Sequence, residues 1–265
     1  MTLTLVPIDH GELCHGWAWT IDDEGLLAER VARVMLGQYR HVAKILTGAG
    51  LPGPAANAEQ AIAAIKQLTL ADGEDPWHRD GWLFQTISWI AANQQPSGSL
   101  TRMPHIRKAD KGFDGIQIEM NQAGTAVIAV IIFEDKATSN ARNMIRDDVW
   151  PGIVALERGD RLNELSQEVS GLLDARAAAD PNFDVDTAIA NTLWQDARRY
   201  RVSITIGDTH NNTDARAKLF KGFDISAPGV AARRRADTIY LPAMRSWMTS
   251  FAACVVVKIK AIANV

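Results

Sequence analysis

Phe113-Asp114-Gly115-Ile116-Gln117-Ile118-Glu119-Met120, a turn ending at Gly124, and Ala126-Val127-Ile128-Ala129-Val130-Ile131-Ile132-Phe133-Glu134-Asp135-Lys136 together decide how this chain folds. The first segment alternates as a strand does, and Asn121-Gln122-Ala123-Gly124 reads as a turn. The second is an unbroken, β-branched apolar run, which suits a central strand covered on both faces. The two form a hairpin. Strand side chains alternate faces, so Glu134 and Lys136 point one way while Phe133 and Asp135 point the other. Asp114, at the mouth of the neighbouring strand, then lies beside that pair. Charges placed directly after so apolar a run are strongly disfavoured unless each has a partner or a metal ion.

The flanks read as helices. From Glu24 to Thr47, apolar residues such as Leu27, Val31, Val34 and Met35 recur at three-and-four spacing, and Ala58, Ile62, Ile65 and Leu68 mark a second helix. Residues before about 72 therefore read as a helical N-terminal layer. After the breaker Gly73-Glu74-Asp75-Pro76, Trp82 to Asn93 is apolar nearly all round, as in a helix covered on several sides. Beyond the hairpin, helices are expected over Ser139–Glu157, Asp160–Leu173 and Asp184–Tyr200, then a strand from Arg201 to Ile206. The apolar element Met244–Ile259 fits a helix in its first half and a strand at Val255-Val256-Val257. The expected fold is α/β, a mixed sheet flanked by helices. Its organisation reads as a helical region (1–75), a core (76–210) and a C-terminal segment packing on that core (211–265).

Composition excludes several classes. The chain has 265 residues, 47% hydrophobic and 22% charged, with a formal net charge of -3, so any nucleic-acid footprint must be local rather than a bulk property. Its two cysteines, Cys14 and Cys254, form no secreted-type framework, which points to a reducing, cytoplasmic setting. No export signal is visible at the start, and the apolar stretch Ser246–Val257 is shorter than the roughly 20 residues a bilayer requires. It reads as core. There is no GxxxxGK[ST], GxGxxG or GxSxG motif, so the chain does not itself hydrolyse nucleotides through a P-loop, and energy-driven unwinding, where it is needed, must come from another protein.

Two carboxylates on neighbouring strands suit Mg²⁺ or Mn²⁺, hard cations that take oxygen ligands and keep places for phosphate oxygens. Lys136 would orient the attacking water or stabilise charge in the transition state. This arrangement resembles the PD-(D/E)xK nuclease superfamily: an acid on one strand, then Asp or Glu, any residue, and Lys on the next. Gly112-Phe113-Asp114-Gly115-Ile116 and Ile131-Ile132-Phe133-Glu134-Asp135-Lys136-Ala137 carry the match, over about 25 residues, with helices before and after in the family's order. The resemblance implies a restriction-endonuclease-like fold, Asp114 and Glu134 as metal ligands, and Lys136 as the catalytic lysine. It also implies a group from the preceding helix, for which Gln85 is the candidate. Phe113 stands where the motif has Pro. In length, helical N-terminal layer and position of the Glu-x-Lys pair, the chain further resembles the DUF1837-containing nuclease subunits of the Hachiman antiphage system (the HamA family). That likeness implies a helicase partner, and the expected activity is cleavage of phosphodiester bonds, with DNA the expected substrate.

Other groups have weaker chemistry. Arg107 and Lys108, within a basic run that includes Arg102, His105 and Lys111, are candidate nucleic-acid contacts or a solvated loop. Arg142, Arg146 and Gln85 are further candidates, with pairing of the arginines to Asp147, Asp148 or Glu157 as the alternative. Asp80 is a candidate helix cap. His10, Cys14 and His15 lack a fourth ligand for zinc at suitable spacing. Asp208-Thr209-His210-Asn211-Asn212 reads as a polar turn, with His210 beside Asp208 and Asp214 as a rival acid–base or metal group. Arg233-Arg234-Arg235 is either a positive patch or a solvated loop. The alternative function is a non-catalytic subunit that keeps the fold and binds a partner through its N-terminal helices.

Overall fold

In the computed structural model, which describes residues 2–46, 55–94, 99–104, 112–180, 183–190 and 197–265, the chain opens with strands β1 (Leu3–Asp9) and β2 (His15–Ile21). Helices α1 (Glu24–Met35), α2 (Tyr39–Leu46), α3 (Ala58–Leu68) and α4 (Trp77–Asn93) follow. Side chains satisfy orphan backbone donors at two of these starts. Asp23 accepts from the Leu26 N–H, and Asn57 and Gln60 form a reciprocal capping box. Next come β3 (Leu100–Thr101), β4 (Gly115–Met120) and β5 (Val127–Lys136). Then α5 (Ala141–Met144), a π-helical turn (Ile145–Val149) and α6 (Trp150–Glu157) run on continuously. The remainder is α7 (Leu162–Ala179), α8 (Val185–Ala190), β6 (Arg198–Ile206), α9 (Thr213–Leu219), α10 (Phe223–Ser226), β7 (Arg234–Tyr240) and α11 (Met244–Ala263).

All seven strands form one sheet, in the order β1-β2-β7-β6-β5-β4-β3. Strands β2, β7, β6 and β5 pair in parallel, while β1, β4 and β3 are antiparallel to their neighbours. The sheet is mixed, as expected. Ile132 and Val130 of β5 and Val202 and Ile204 of β6 are buried with residues of α5 to α10 on one face. Residues of α1 to α4 and α11 form the second core on the other. The parallel strands all end on one rim, where ligands of open α/β sheets commonly bind.

Several expectations need correction. The N-terminal segment is not only helical: β1 and β2 join the sheet through β7, so strands from all three segments share one sheet. Arg198, Arg199 and Tyr200 belong to β6 rather than to a helix, because Arg198 donates to the Leu156 carbonyl at 2.7 Å and the Tyr200 hydroxyl to Glu157 at 2.6 Å. The ambiguous apolar element is the helix α11, which packs on α1 and α3. By length and composition alone, it is apolar enough to cross a membrane. Asp80 does not cap α4. It sits fully buried inside the first turn between Arg79 (2.8 Å) and Arg245 (2.5 Å), and Asp75 instead accepts the Trp77 N–H at 3.1 Å.

Candidate active site

The β4–β5 register pairs Gly115 with Phe133, which sets Asp114 one step further on, opposite Glu134. Glu134 and Lys136 extend the face of Val130 and Ile132, toward the α5–α7 layer, as strand alternation requires. Glu134 Oε2 lies 3.3 Å from Lys136 Nζ, with the two side chains 15% and 23% exposed. A second carboxylate, Asp148 from the π-helical turn, meets the same ammonium at 3.0 Å. Asp114 is oriented from two directions: Gln85 Nε2 of α4 donates to Oδ1 at 2.6 Å, and the Asp135 backbone N–H donates to Oδ2 at 2.7 Å.

Electrostatics follow from burial. Desolvation pushes Asp114 up to about 6 against the pull of Lys136. It pushes Glu134 up to about 7, again opposed by Lys136 and reinforced by the Asp114 charge. For Lys136, burial acts downward, but Glu134, Asp114 and Asp148 together outweigh it and raise its pKa. The ammonium is therefore held protonated.

Asp135 points to the other face, where Ser88 of α4 donates to it at 2.7 Å. Burial raises it to about 6, opposed first by Arg201. Arg201 is fully buried, donates to Asp237 at 2.8 Å, and stacks its guanidinium 4.5 Å from the Phe133 ring centroid. On the site's own side, Arg161 lies 4.2 Å over the Phe113 ring and binds Glu164 through two nitrogens. Its backbone has φ 61, a left-handed conformation at the start of α7.

The donor set fits Mg²⁺ or Mn²⁺. Two partly buried carboxylates share one face, both destabilised as anions by desolvation, and a cation such as Mg²⁺ binds through one or two carboxylates plus substrate phosphates rather than an all-protein cage. Among the described residues, no group of three or more His, Cys, Asp or Glu side chains gathers as such a cage.

Asp114, Glu134, Lys136 and Gln85 are thus brought together. Arg107 and Lys108 lie outside the described residues. Arg142 is tied to the fold, donating to the carbonyls of Leu219 (2.7 Å) and Lys221 (3.1 Å), and Arg146 pairs with Asp147 at 2.6 Å. Arg233 and Arg234 form neither a patch nor a solvated loop. They are buried and bind backbone carbonyls, Arg233 that of Arg198 and Arg234 those of Leu13, Ala227, Gly229 and Glu12. Arg235 pairs with Asp237 at 3.0 Å. The Asp208–His210 segment is a short 3-10 turn in which Asp208 accepts from the Tyr240 hydroxyl, and Asn212 caps α9. Burial and then Arg142 lower the pKa of His210. Cys14 is buried, with its thiol pushed up to about 12 by burial.

Sequence reasoning missed Asp148, Arg161 and the influence of the Arg201 charge on Asp135. Arg201, a cation inside an apolar strand pattern, was the one visible signal. No protein-family model and no curated protein matches this chain.

Proposed function

We propose that the chain is a metal-dependent nuclease that cleaves phosphodiester bonds of DNA. The reading rests chiefly on the ion pair of Glu134 and Lys136 at 3.3 Å on the face that carries Asp114. Asp114 and Glu134 would hold Mg²⁺ or Mn²⁺, and the bound cation would supply an activated water and neutralise charge on the phosphate. Gln85 and the Asp135 N–H hold Asp114 in one orientation. Lys136, kept protonated by its carboxylate neighbours, serves as a donor to a phosphate oxygen or to the attacking water rather than as a base. A role in antiphage defence beside a helicase rests on the family resemblance alone, and a cytoplasmic setting on the cysteine usage. The absence of a P-loop in this sequence accords with an unwinding partner.

The test is to incubate the purified protein, with and without such a helicase, on plasmid and linear DNA in Mg²⁺, Mn²⁺ or EDTA. Cleavage is expected only with the cation and is lost in Glu134→Ala and Lys136→Ala; persistence in either variant removes the assignment. Cleavage lost only in His210→Ala would move the chemistry to the Asp208 loop. Partner binding without any cleavage would favour the non-catalytic subunit.

A further inference from the structure

The helical run after β5 buries Ala141, Ile145, Val149, Trp150, Ile153 and Leu156, and Ala141, Ile145, Val149 and Ile153 among them stand four apart. Four residues of an α-helix rotate by roughly 400°, so apolar side chains at that spacing drift by about 40° per step. A π turn holds more residues per revolution and absorbs the drift. The wide turn at Ile145–Val149 keeps Ile145 and Val149 both buried. With Ile145 and Val149 facing inward, Asp148 meets the end of β5 with its Oδ2 3.0 Å from Lys136 Nζ, although its side chain is 60% exposed.

We propose that Asp148 is a positioning residue, holding the Lys136 ammonium in its working orientation by an ion pair from the π-helical turn. The inference rests on the nuclease reading. The two anions beside Lys136 differ in their other duties. Glu134 shares a face with Asp114 and would divide its charge between lysine and cation. Asp148 sits on a separate element, and Lys136 is its partner among the described residues. In the loaded site it is the anchor that remains fully available to the lysine. An ion pair with so exposed a carboxylate adds little to folding stability, so melting temperature should hardly register its loss.

The experiment compares wild type, Asp148→Asn, Asp148→Glu, Glu134→Ala and Lys136→Ala, full-length, in single-turnover DNA cleavage with Mn²⁺. Mn²⁺ binding is followed by electron paramagnetic resonance, and melting temperature is recorded for each. Asp148→Asn is expected to lower the cleavage rate about 10- to 100-fold, the scale set by a misplaced reacting group. DNA KM, Mn²⁺ affinity and melting temperature should stay near wild type, and Asp148→Glu should recover much of the rate. Wild-type cleavage by Asp148→Asn while Lys136→Ala is dead overturns the positioning role and leaves the nuclease reading intact. Loss of Mn²⁺ binding in Asp148→Asn, as in Glu134→Ala, makes it a ligand and also overturns the proposal, as does a collapse of melting temperature in both Asp148 variants. Wild-type protein that cuts no DNA with or without the helicase removes the nuclease reading, equal cutting by Glu134→Ala and Lys136→Ala removes the site assignment, and either outcome takes the proposal with it.

Discussion

Asp114 Oδ2 accepts, at 2.7 Å, the backbone N–H of Asp135, the residue that separates Glu134 from Lys136. The first acid of the site is thereby tied to the strand that carries the other two groups. Its remaining oxygen is held across the layer by Gln85 of α4. The site's geometry thus depends on elements from both sides of the sheet.

Gln85→Ala removes one of the two donors that aim Asp114. Loss of an outer contact to a metal-binding carboxylate typically weakens metal affinity roughly 10- to 100-fold. Calorimetric titration with Mn²⁺ should show that loss, with melting temperature little changed. An affinity equal to wild type would mean that Gln85 does not orient the acid.

The pH dependence of the cation-free protein has a definite sign. Burial raises Asp114 and Asp135 to about 6 and Glu134 to about 7, whereas unfolded carboxylates titrate near 4. Between those limits the folded chain binds more protons than the unfolded chain, so this site makes stability fall as pH rises from about 4 to about 7 and level off above. Lys136, raised, contributes its stabilisation throughout that window. Asp237, kept low by Arg235 and Arg201 despite burial, loses its contribution only on the acid side. Melting temperature in EDTA should decrease between about pH 5 and pH 7.5, and Mg²⁺ or Mn²⁺ should restore it mainly at the higher pH, where the carboxylates are ionised. A rise across this range in EDTA would oppose the assignment.

Arg201→Met leaves Asp237 and Asp135 buried with less counter-charge. Arg201 and Asp237 are both fully buried and 2.8 Å apart, and removal of one partner from such a pair costs about 3–5 kcal/mol. Urea denaturation measures it, and a loss under about 1 kcal/mol would show that the cavity readjusts freely.

Gly115→Ala should damage stability and cleavage together. A Cβ there would come 2.7 Å from Cδ2 of Phe133, which is buried under Arg201 and has little room to yield. Overpacking of this kind destabilises by about 1–3 kcal/mol. Thermal melting checks the first effect, and a wild-type melting temperature would dispose of it.

The hairpin and the shared face of Glu134 and Lys136 were legible because strand alternation is a local rule that burial here does not override. The helices α1, α3 and α7 announced themselves through their apolar stripes. Strands β1 and β2 did not. Pro7, Gly16 and a scatter of half-buried residues weaken their pattern, and an edge strand tolerates Pro. Gly16 is needed there because a Cβ would come 2.0 Å from the Ala236 carbonyl oxygen, a neighbour far away in sequence. Arg198–Tyr200 resembled a helix end for the same reason: the groups that make it a strand, Leu156 and Glu157, are contacts no window of sequence contains. Asp148 and Arg161 depend on a wide helical turn and a left-handed residue, which are backbone outcomes rather than residue patterns.

The Trp17 N–H donates to Asp237 at 2.9 Å, a residue 220 positions further along the chain. The β1–β2 hairpin joins the rest of the sheet through β7, a strand far along the chain. A contact this distant in the chain slows assembly through its loop-closure entropy and leaves a strand edge open to other chains in the meantime. Among the described strands, the last in chain order is the one that stitches the first two into the sheet.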